Sequence, residues 1–235
     1  MEKQSDECLI CGAPLEYLEQ AEPMTCSICH QTVPSNVRCR DGHYVCDACH
    51  TSGVDQIVSI CMSEQSTNPI ALLERMMSLP FCPMHGPEHH IMVSAALITA
   101  YRNAGGAVAL PQALSEAIAR GKQVPGGVCG NWGACGAGIS AGMAVSIISK
   151  SNPLAVEPWG LSNLMTSKAL EKIGTVGGPR CCKRDSFLSI LAAIDFINEH
   201  FGVNMEKPEI ICSHSSQNNQ CIGRRCPFSK ANHND

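Results

Sequence analysis

The sequence has few aromatic residues, few charged residues and no apolar run long enough for a membrane. Phe, Tyr and Trp make up 4% of the 235 residues and charged residues 16%, whereas 44% are hydrophobic. A core of this composition consists mostly of aliphatic and small side chains. The longest uncharged stretch, residues 123–149, contains Pro125 and many glycines. Its helix-like part is shorter than the roughly 20 residues of a membrane span, so we expect a globular protein without one.

No apolar signal segment follows the polar first seven residues, so we expect a cytoplasmic protein. The residue in excess is cysteine, with 16 copies beside 9 histidines. Because cytoplasmic thiols stay reduced, so many cysteines indicate metal, cluster or thiol chemistry rather than disulfides.

The first 50 residues, which we call the head, contain four pairs of metal-ligand residues: Cys8/Cys11, Cys26/Cys29, Cys39/His43 and Cys46/Cys49. Pairs at this spacing let two side chains reach one ion from a tight turn, and eight ligands supply about two tetrahedral zinc sites. From Cys26 onward the order resembles the first six ligands of a RING-type cross-brace. The last RING pair is missing, and Cys8/Cys11 can replace it.

Cross-brace pairing predicts one zinc ion on Cys26, Cys29, Cys46 and Cys49 and the other on Cys8, Cys11, Cys39 and His43. Sequential pairing, in which Cys8/Cys11 join Cys26/Cys29, is the close alternative, and His30 or His50 can replace His43. Closed zinc sites supply folding energy to a segment too small to bury a core. Residues 1–55 carry a net charge of −6 and residues 56–235 one of +2, which argues against nucleic-acid binding by the head.

Beyond residue 55 the apolar pattern is helical and strand alternation is nearly absent. We therefore predict a mainly α protein. Its parts are a zinc-binding, RING- or ribbon-like module at 1–55, a connecting helix at 56–80 and an all-α, cysteine-rich domain at 81–235. Asn68 caps one predicted helix, and further helices are predicted over roughly 87–101, 111–120, 134–149, 158–172 and 184–201.

Three unusual runs lead directly into predicted helices: CPMHGPEHH at 82–90, CGNWGACGAG at 129–138 and GGPRCCKRD at 177–185. Helix N-termini stabilise anions, and a cysteine there tends to ionise, more so beside Lys and Arg. The runs predict catalytic roles for Cys135, Cys181 and Cys182. They also predict a metal or acid–base role for His85, Glu88 and His89.

The same cysteines are candidate cofactor ligands. Cys129, Cys135, Cys181 and Cys182 suit an iron–sulfur cluster or a thiol redox centre. The basic residues beside cysteines predict stabilised thiolates or an anionic small ligand: Arg180, Lys183, Arg184, Arg224 and Arg225.

The C-terminal segment, which we call the tail, adds Cys212, Cys221 and Cys226. These three can hold a cluster with one open iron, bind zinc together with His214, or fold back to complete the Cys181/Cys182 site. Cys226 precedes a proline, as in cluster-binding cysteine motifs.

Six strings resemble an uncharacterised family of cysteine-rich prokaryotic proteins, classed as a domain of unknown function: CLICG, GHYVCDACH, MHGPEHH, CGNWGACGAG, GGPRCCKRDSF and CIGRRCPF. The resemblance covers nearly the whole chain. It implies occurrence in methanogens and anaerobic bacteria, an anaerobic cytoplasm and a radical SAM partner protein. CGNWGACGAG and the Cys181–Cys182 pair also loosely resemble a small redox family. The Cys-x3-Cys-x2-Cys motif of radical SAM enzymes is absent from the sequence.

Two functions are compatible with these patterns. The first is a metal-binding redox, sulfur- or group-transfer accessory, carrying an iron–sulfur cluster or reactive thiolates and working with an anaerobic, radical SAM-type pathway. The second is a non-catalytic, zinc-dependent protein-interaction module or soft-metal carrier. No phosphate loop, dinucleotide fingerprint or Ser–His–Asp pattern identifies a substrate.

Overall fold

The computed structural model describes residues 8, 11, 13–50, 53–79 and 81–233, so the polar first seven residues lie outside the described part. In these ranges the chain is mainly α, as predicted, with a small cysteine-rich module before a helical domain. The strands and helices are β1 Leu15–Thr25, β2 Thr32–Cys39, α1 Asp47–His50, α2 Val54–Ser63, α3 Pro69–Met77, α4 Glu88–Asn103, α5 Leu110–Gly121, α6 Cys129–Trp132, α7 Gly136–Ile148, α8 Glu157–Val176 and α9 Cys182–Phe201.

The head is a two-stranded antiparallel hairpin followed by the short helix α1. Leu15 pairs with Cys39 and Thr25 with Thr32, and the register shifts between Tyr17 and Glu22. Among its described residues the buried hydrophobic side chains are two ordinary ones and four cysteines: Met24, Val45, Cys8, Cys26, Cys39 and Cys46. A hairpin with so little apolar burial is marginal by itself, so the head needs another source of stability.

The body is organised around α4, whose residues from Glu88 to Tyr101 are all buried. This helix packs against α3, α5, α7 and α9. A helix buried on every side is expected to be apolar all round, and α4 is so from Ile91 to Ala100 apart from Ser94 and Thr99. No helix of the described ranges is long and apolar enough to cross a membrane.

Residues 56–80, which we predict as a connecting helix, contain most of α2 and all of α3. Their buried side chains, including Ile57 and Leu72, belong to the same apolar cluster as α4 and α9. The predicted cap is confirmed, because Asn68 Oδ1 accepts hydrogen bonds from the amides of Ile70 and Ala71, each at 3.0 Å.

Glycines let α7 and α8 approach closely. A Cβ placed on Gly142 would overlap Thr166 Oγ1 and lie 2.9 Å from the backbone oxygen of Ser162. Gly174, on the exposed side of α8, has no heavy atom within 4 Å of such a Cβ. Alanine at Gly142 would therefore test the packing between the helices, whereas alanine at Gly174 would test helix propensity alone.

We expect Gly142→Ala to lower the free energy of unfolding by about 1–3 kcal/mol, because the helices must move apart. Gly174→Ala is the matched control and should raise it by up to about 1 kcal/mol, since alanine favours the helix. Urea unfolding followed by circular dichroism measures both. Equal effects of the two substitutions would contradict the close packing of α7 on α8.

Candidate metal and thiol sites

The hairpin and α1 gather the head ligands into two sets. Within each set the ligand atoms lie within 4.8 Å of one another, and the sets are Cys8, Cys11, Cys39 and His43, and Cys26, Cys29, Cys46 and Cys49. This grouping matches the cross-brace pairing rather than the sequential one. His43 is the histidine of the first set, while His50 turns away and contacts Glu88 in the body.

Two head sulfurs, those of Cys26 and Cys39, lie in environments that favour thiolates, whereas burial raises the pKa of Cys46 and Cys49. The amides of Ile28 and Cys46 donate to Cys26 Sγ, each at 3.4 Å, and that of Asp41 donates to Cys39 Sγ at 3.2 Å. Burial raises the pKa of Cys26, but these amide hydrogen bonds outweigh it and lower the pKa to about 6. The same balance lowers the pKa of Cys39 to about 7. Tetrahedral sets of thiolates, one with an imidazole, fit zinc.

Polar contacts fix the head on the body. His50 Nδ1 lies 2.9 Å from Glu88 Oε1, and the carboxylate of Asp47 accepts a hydrogen bond from the Gly126 amide at 3.1 Å. The Arg180 guanidinium lies over the Tyr17 ring, 4.7 Å from its centroid. Because Glu88 is fully buried and needs a partner for its charge, its contact with His50 ties α1 to the start of α4.

A cavity of about 120 Å³ lies between the head and the helical body. Besides Cys8, which belongs to the first head set, three cysteines from separate segments of the body line it: Cys129 in α6, Cys135 before α7 and Cys182 at the first position of α9. The polar residues near these cysteines include His85, Arg180 and Asp185. The Cys182 amide donates to His85 Nδ1 at 3.3 Å, and Cys135 Sγ lies 3.9 Å from Asp185 Oδ2. We call this cavity the thiol pocket.

The three thiols of the pocket differ in acidity. Burial raises the pKa of Cys182, but the His85 hydrogen bond, the His85 charge and the Arg180 charge outweigh it, so the pKa lies below its usual value. Burial raises the pKa of Cys135, and the negative charges of Asp185 and Cys182 raise it further. Burial and Cys182 likewise raise the pKa of Cys129. Cys182 is therefore the thiol that ionises first in this pocket.

Two other predicted catalytic residues lie outside the thiol pocket. Glu88 pairs with His50, and His89 is fully buried with its Nδ1 3.0 Å from the Gly86 carbonyl oxygen. Burial and the nearby Lys183 hold the pKa of His89 well below its usual value. Of the three residues predicted from the MHGPEHH run, His85 alone lines the pocket.

His90 and Asp185 also line the pocket. His90 lies 2.9 Å from the Val124 carbonyl oxygen, and its ring occupies the space that a side chain on Gly136 would fill. Asp185 is buried, which raises its pKa, and it pairs with Arg184 at 3.0 Å. Arg180 and Asp185 both belong to the polar run GGPRCCKRD. The sequence of that run does not predict which way either side chain points.

Cys181 and Cys182 line different cavities. Cys181 lines a second, smaller cavity together with the three tail cysteines, Cys212, Cys221 and Cys226. The seven predicted cofactor-binding cysteines thus form two groups, three in the thiol pocket and four around this second cavity. Among the described residues, neither group brings three sulfurs within 4.8 Å of one another, in contrast to the head sets.

Comparison with known families identifies the class of the chain. Residues 57–229 match a family described as a family of unknown function, DUF5714, and the chain therefore belongs to that family. The matched range begins after α1 and includes both cavities' cysteines. No curated protein and no solved structure matches the chain.

Zinc analysis of head variants distinguishes the two pairings. With cross-brace pairing, Cys8→Ser and the double variant Cys8→Ser/Cys39→Ser both lose one ion, because both residues belong to one site. The zinc content should fall from about two ions per chain to about one in each. Metal analysis by inductively coupled plasma mass spectrometry measures this content.

The control is Cys61→Ser, which changes a buried core cysteine outside both sets and should keep both ions. A double variant without zinc, beside a single variant with one ion, would show that Cys8 and Cys39 belong to different sites. That result would support sequential pairing.

Proposed function

We propose that the protein is a metal-binding accessory for redox, sulfur- or group-transfer chemistry, in which two zinc ions hold the head and Cys182 in the thiol pocket reacts. The observation that carries this proposal is the convergence of three thiols on one open pocket, with His85 and Arg180 acting on Cys182. Cys182 also occupies the first position of α9, a helix of 20 residues. The helix dipole there favours a thiolate.

The spacing of the pocket sulfurs favours separate reactive thiols over one bound ion. A zinc–sulfur distance of about 2.3 Å keeps tetrahedral ligands about 4 Å apart, and the three pocket sulfurs are not gathered within 4.8 Å. The cavity has room for a small ligand beside them, and Arg180 would bind its anionic group. In this assignment His85 stabilises the Cys182 thiolate, and Cys129 and Cys135 are resolving thiols.

A persulfide donor illustrates the transfer. The Cys182 thiolate attacks the outer sulfur of the donor, a new S–S bond forms to Cys182, and the donor's inner sulfur leaves as a thiolate with the electron pair. Attack by the Cys135 thiolate on Cys182 Sγ would then form a Cys135–Cys182 disulfide and release hydrosulfide. Charged neighbours favour the first step at Cys182, since the thiolate is the nucleophile.

Alkylation tests the reactivity of Cys182. Under anaerobic conditions at pH 7, we expect iodoacetamide to modify Cys182 at least about tenfold faster than Cys129, a partly buried thiol of the same pocket. Timed quenching and peptide mass spectrometry measure both rates. His85→Gln should slow the modification of Cys182, because it removes the group that stabilises the thiolate.

His200→Gln is the matched control, since His200 lies at the opposite end of α9 and contacts Phe196. It should leave the Cys182 rate unchanged. A rate for Cys182 no greater than that for Cys129, or no effect of His85→Gln, would contradict a reactive Cys182.

A second candidate function is a non-catalytic interaction module that works with a partner protein. It is favoured by exposed apolar side chains around the start of α8, where Leu154 is 92% exposed, Val156 89% and Trp159 53%. Neighbouring exposed apolar residues of this kind are typical of interaction surfaces. Unreactive pocket thiols in a correctly folded, zinc-loaded protein would favour this candidate over the first.

A further inference from the structure

The tail cysteines and Cys181 surround the second cavity, away from the thiol pocket. Cys181 comes from the N-cap of α9, and Cys212, Cys221 and Cys226 come from the irregular segment after that helix. The rest of the wall consists of three apolar residues and four polar ones: Met84, Ile222, Phe228, Arg184, His214, Ser215 and Asn218. We infer that these four cysteines bind one [4Fe–4S] cluster. This cluster site is additional to the proposed reactive pocket and to the two zinc sites.

The first support is hydrogen bonding to sulfur. The amide of His214 donates to Cys212 Sγ and that of Gly223 to Cys221 Sγ, each at 3.4 Å and from two residues farther along the chain. In the head, Ile28 donates to Cys26 Sγ by the same two-residue step. Tail cysteines thus adopt the local geometry of the head's metal ligands, which presents a thiolate to an ion from a tight turn.

Cys181 receives donors as well. Asn218 Nδ2 lies 3.4 Å and the Arg184 amide 3.5 Å from its sulfur. The Arg184 amide belongs to the first turn of α9, so the sulfur lies at the positive end of the helix dipole. Hydrogen bonds donated to sulfur are the contacts that cluster-binding thiolates receive in proteins. These donors are placed to stabilise a metal-bound thiolate, although burial outweighs them in the metal-free protein and raises the pKa of Cys181.

The second support is the spacing of the sulfurs. The head sets, which suit one zinc ion each, gather their ligand atoms within 4.8 Å, and no three ligand atoms around the second cavity do so. A cluster binds each thiolate through a different iron, so its ligands stand farther apart than those of a single ion. The three sulfurs of the thiol pocket are also widely spaced, so the fourth cysteine and the hydrogen bonds donated to sulfur are what favour a cluster at this second cavity.

The third support is the order of the tail. Residues 203–214 contain no helix or strand, yet backbone contacts fix the segment at both ends. The Glu206 amide donates to the Thr67 carbonyl oxygen at 3.0 Å, and the Cys212 amide donates to that of Phe228 at 2.8 Å. Phe228 packs edge-to-face on Phe187 of α9. These contacts place three tail cysteines against the start of α9, and a cluster would join the two segments covalently.

Anaerobic reconstitution with ferrous iron and sulfide tests the inference on the full, zinc-loaded chain. The wild type should bind about four irons and four sulfides per chain, and dithionite reduction should produce the electron paramagnetic resonance signal of a reduced cluster. Cys221→Ser and Cys226→Ser should lose most of both. Cys221 is exposed, so its replacement leaves the fold intact, which circular dichroism checks.

Cys182→Ser is the matched control. Cys182 directly follows Cys181 in the chain, but its side chain lines the thiol pocket and not the cavity of the tail cysteines. The variant should retain the full iron and sulfide content. Iron lost from Cys182→Ser but kept by Cys221→Ser would overturn the assignment to the tail. A third zinc ion per chain without any iron would overturn the cluster itself.

The two proposals fail independently. Alkylation of Cys182 in Cys221→Ser should proceed as in the wild type, because the thiol pocket contains neither Cys221 nor the other tail cysteines. If Cys221→Ser loses the cluster while its Cys182 is alkylated at the wild-type rate, both the cluster site in the tail and the reactive Cys182 are supported. Absence of iron with a reactive Cys182 overturns the cluster alone.

Discussion

The structure depends on how the first turn of α9 is held. Cys181 is the extended N-cap of α9 and lines the tail cavity. Cys182 and Lys183 begin the helix, in which successive residues point about 100° apart, so Cys182 lines the thiol pocket and Lys183 points into the core. Arg184 fixes this turn by donating to the carbonyl oxygens of Gly177 and Pro179, each at 2.9 Å. Both cysteine groups thus depend on the same helical turn, and a small rotation of it would disturb both.

The head contributes the other wall of the pocket, and its two ligand sets are placed to supply the stability that its small core does not. Its hairpin leaves Tyr17, Val37 and Tyr44 lining the cavity, yet it buries few ordinary apolar side chains. Metal ions bound to both sets would supply the missing folding energy. Such ions would also protect the thiol pocket, because an unfolded head would expose Cys182 to solvent on that side.

Most of the body helices could be predicted from the sequence, because apolar periodicity and caps such as Asn68 mark them. The cross-brace grouping was predicted from a resemblance to the RING ligand order, with sequential pairing as the close alternative, and the structure groups the ligands in the cross-brace way. The four-residue helices α1 and α6 are too short to show a period. Cys181 and Cys182 point in opposite directions because of how α9 is rotated and packed. His89 lies outside the pocket because of how α4 is rotated and packed. Local sequence does not determine that rotation.

Lys183 is a buried charged residue in the first turn of α9, where an apolar side chain would be expected. Its side chain is fully buried, and its Nζ lies 3.2 Å from Cys82 Sγ. Burying an ammonium group costs several kcal/mol unless nearby groups compensate, so an ordinary core would contain an apolar residue here. The cation lies between the two cysteine groups, next to Cys182 in sequence and near His214 of the tail. The positive charge lowers the pKa of Cys82 against the effect of burial. If Cys182 and the tail cysteines ionise as proposed, the same charge also reduces the electrostatic repulsion between the two groups of thiolates.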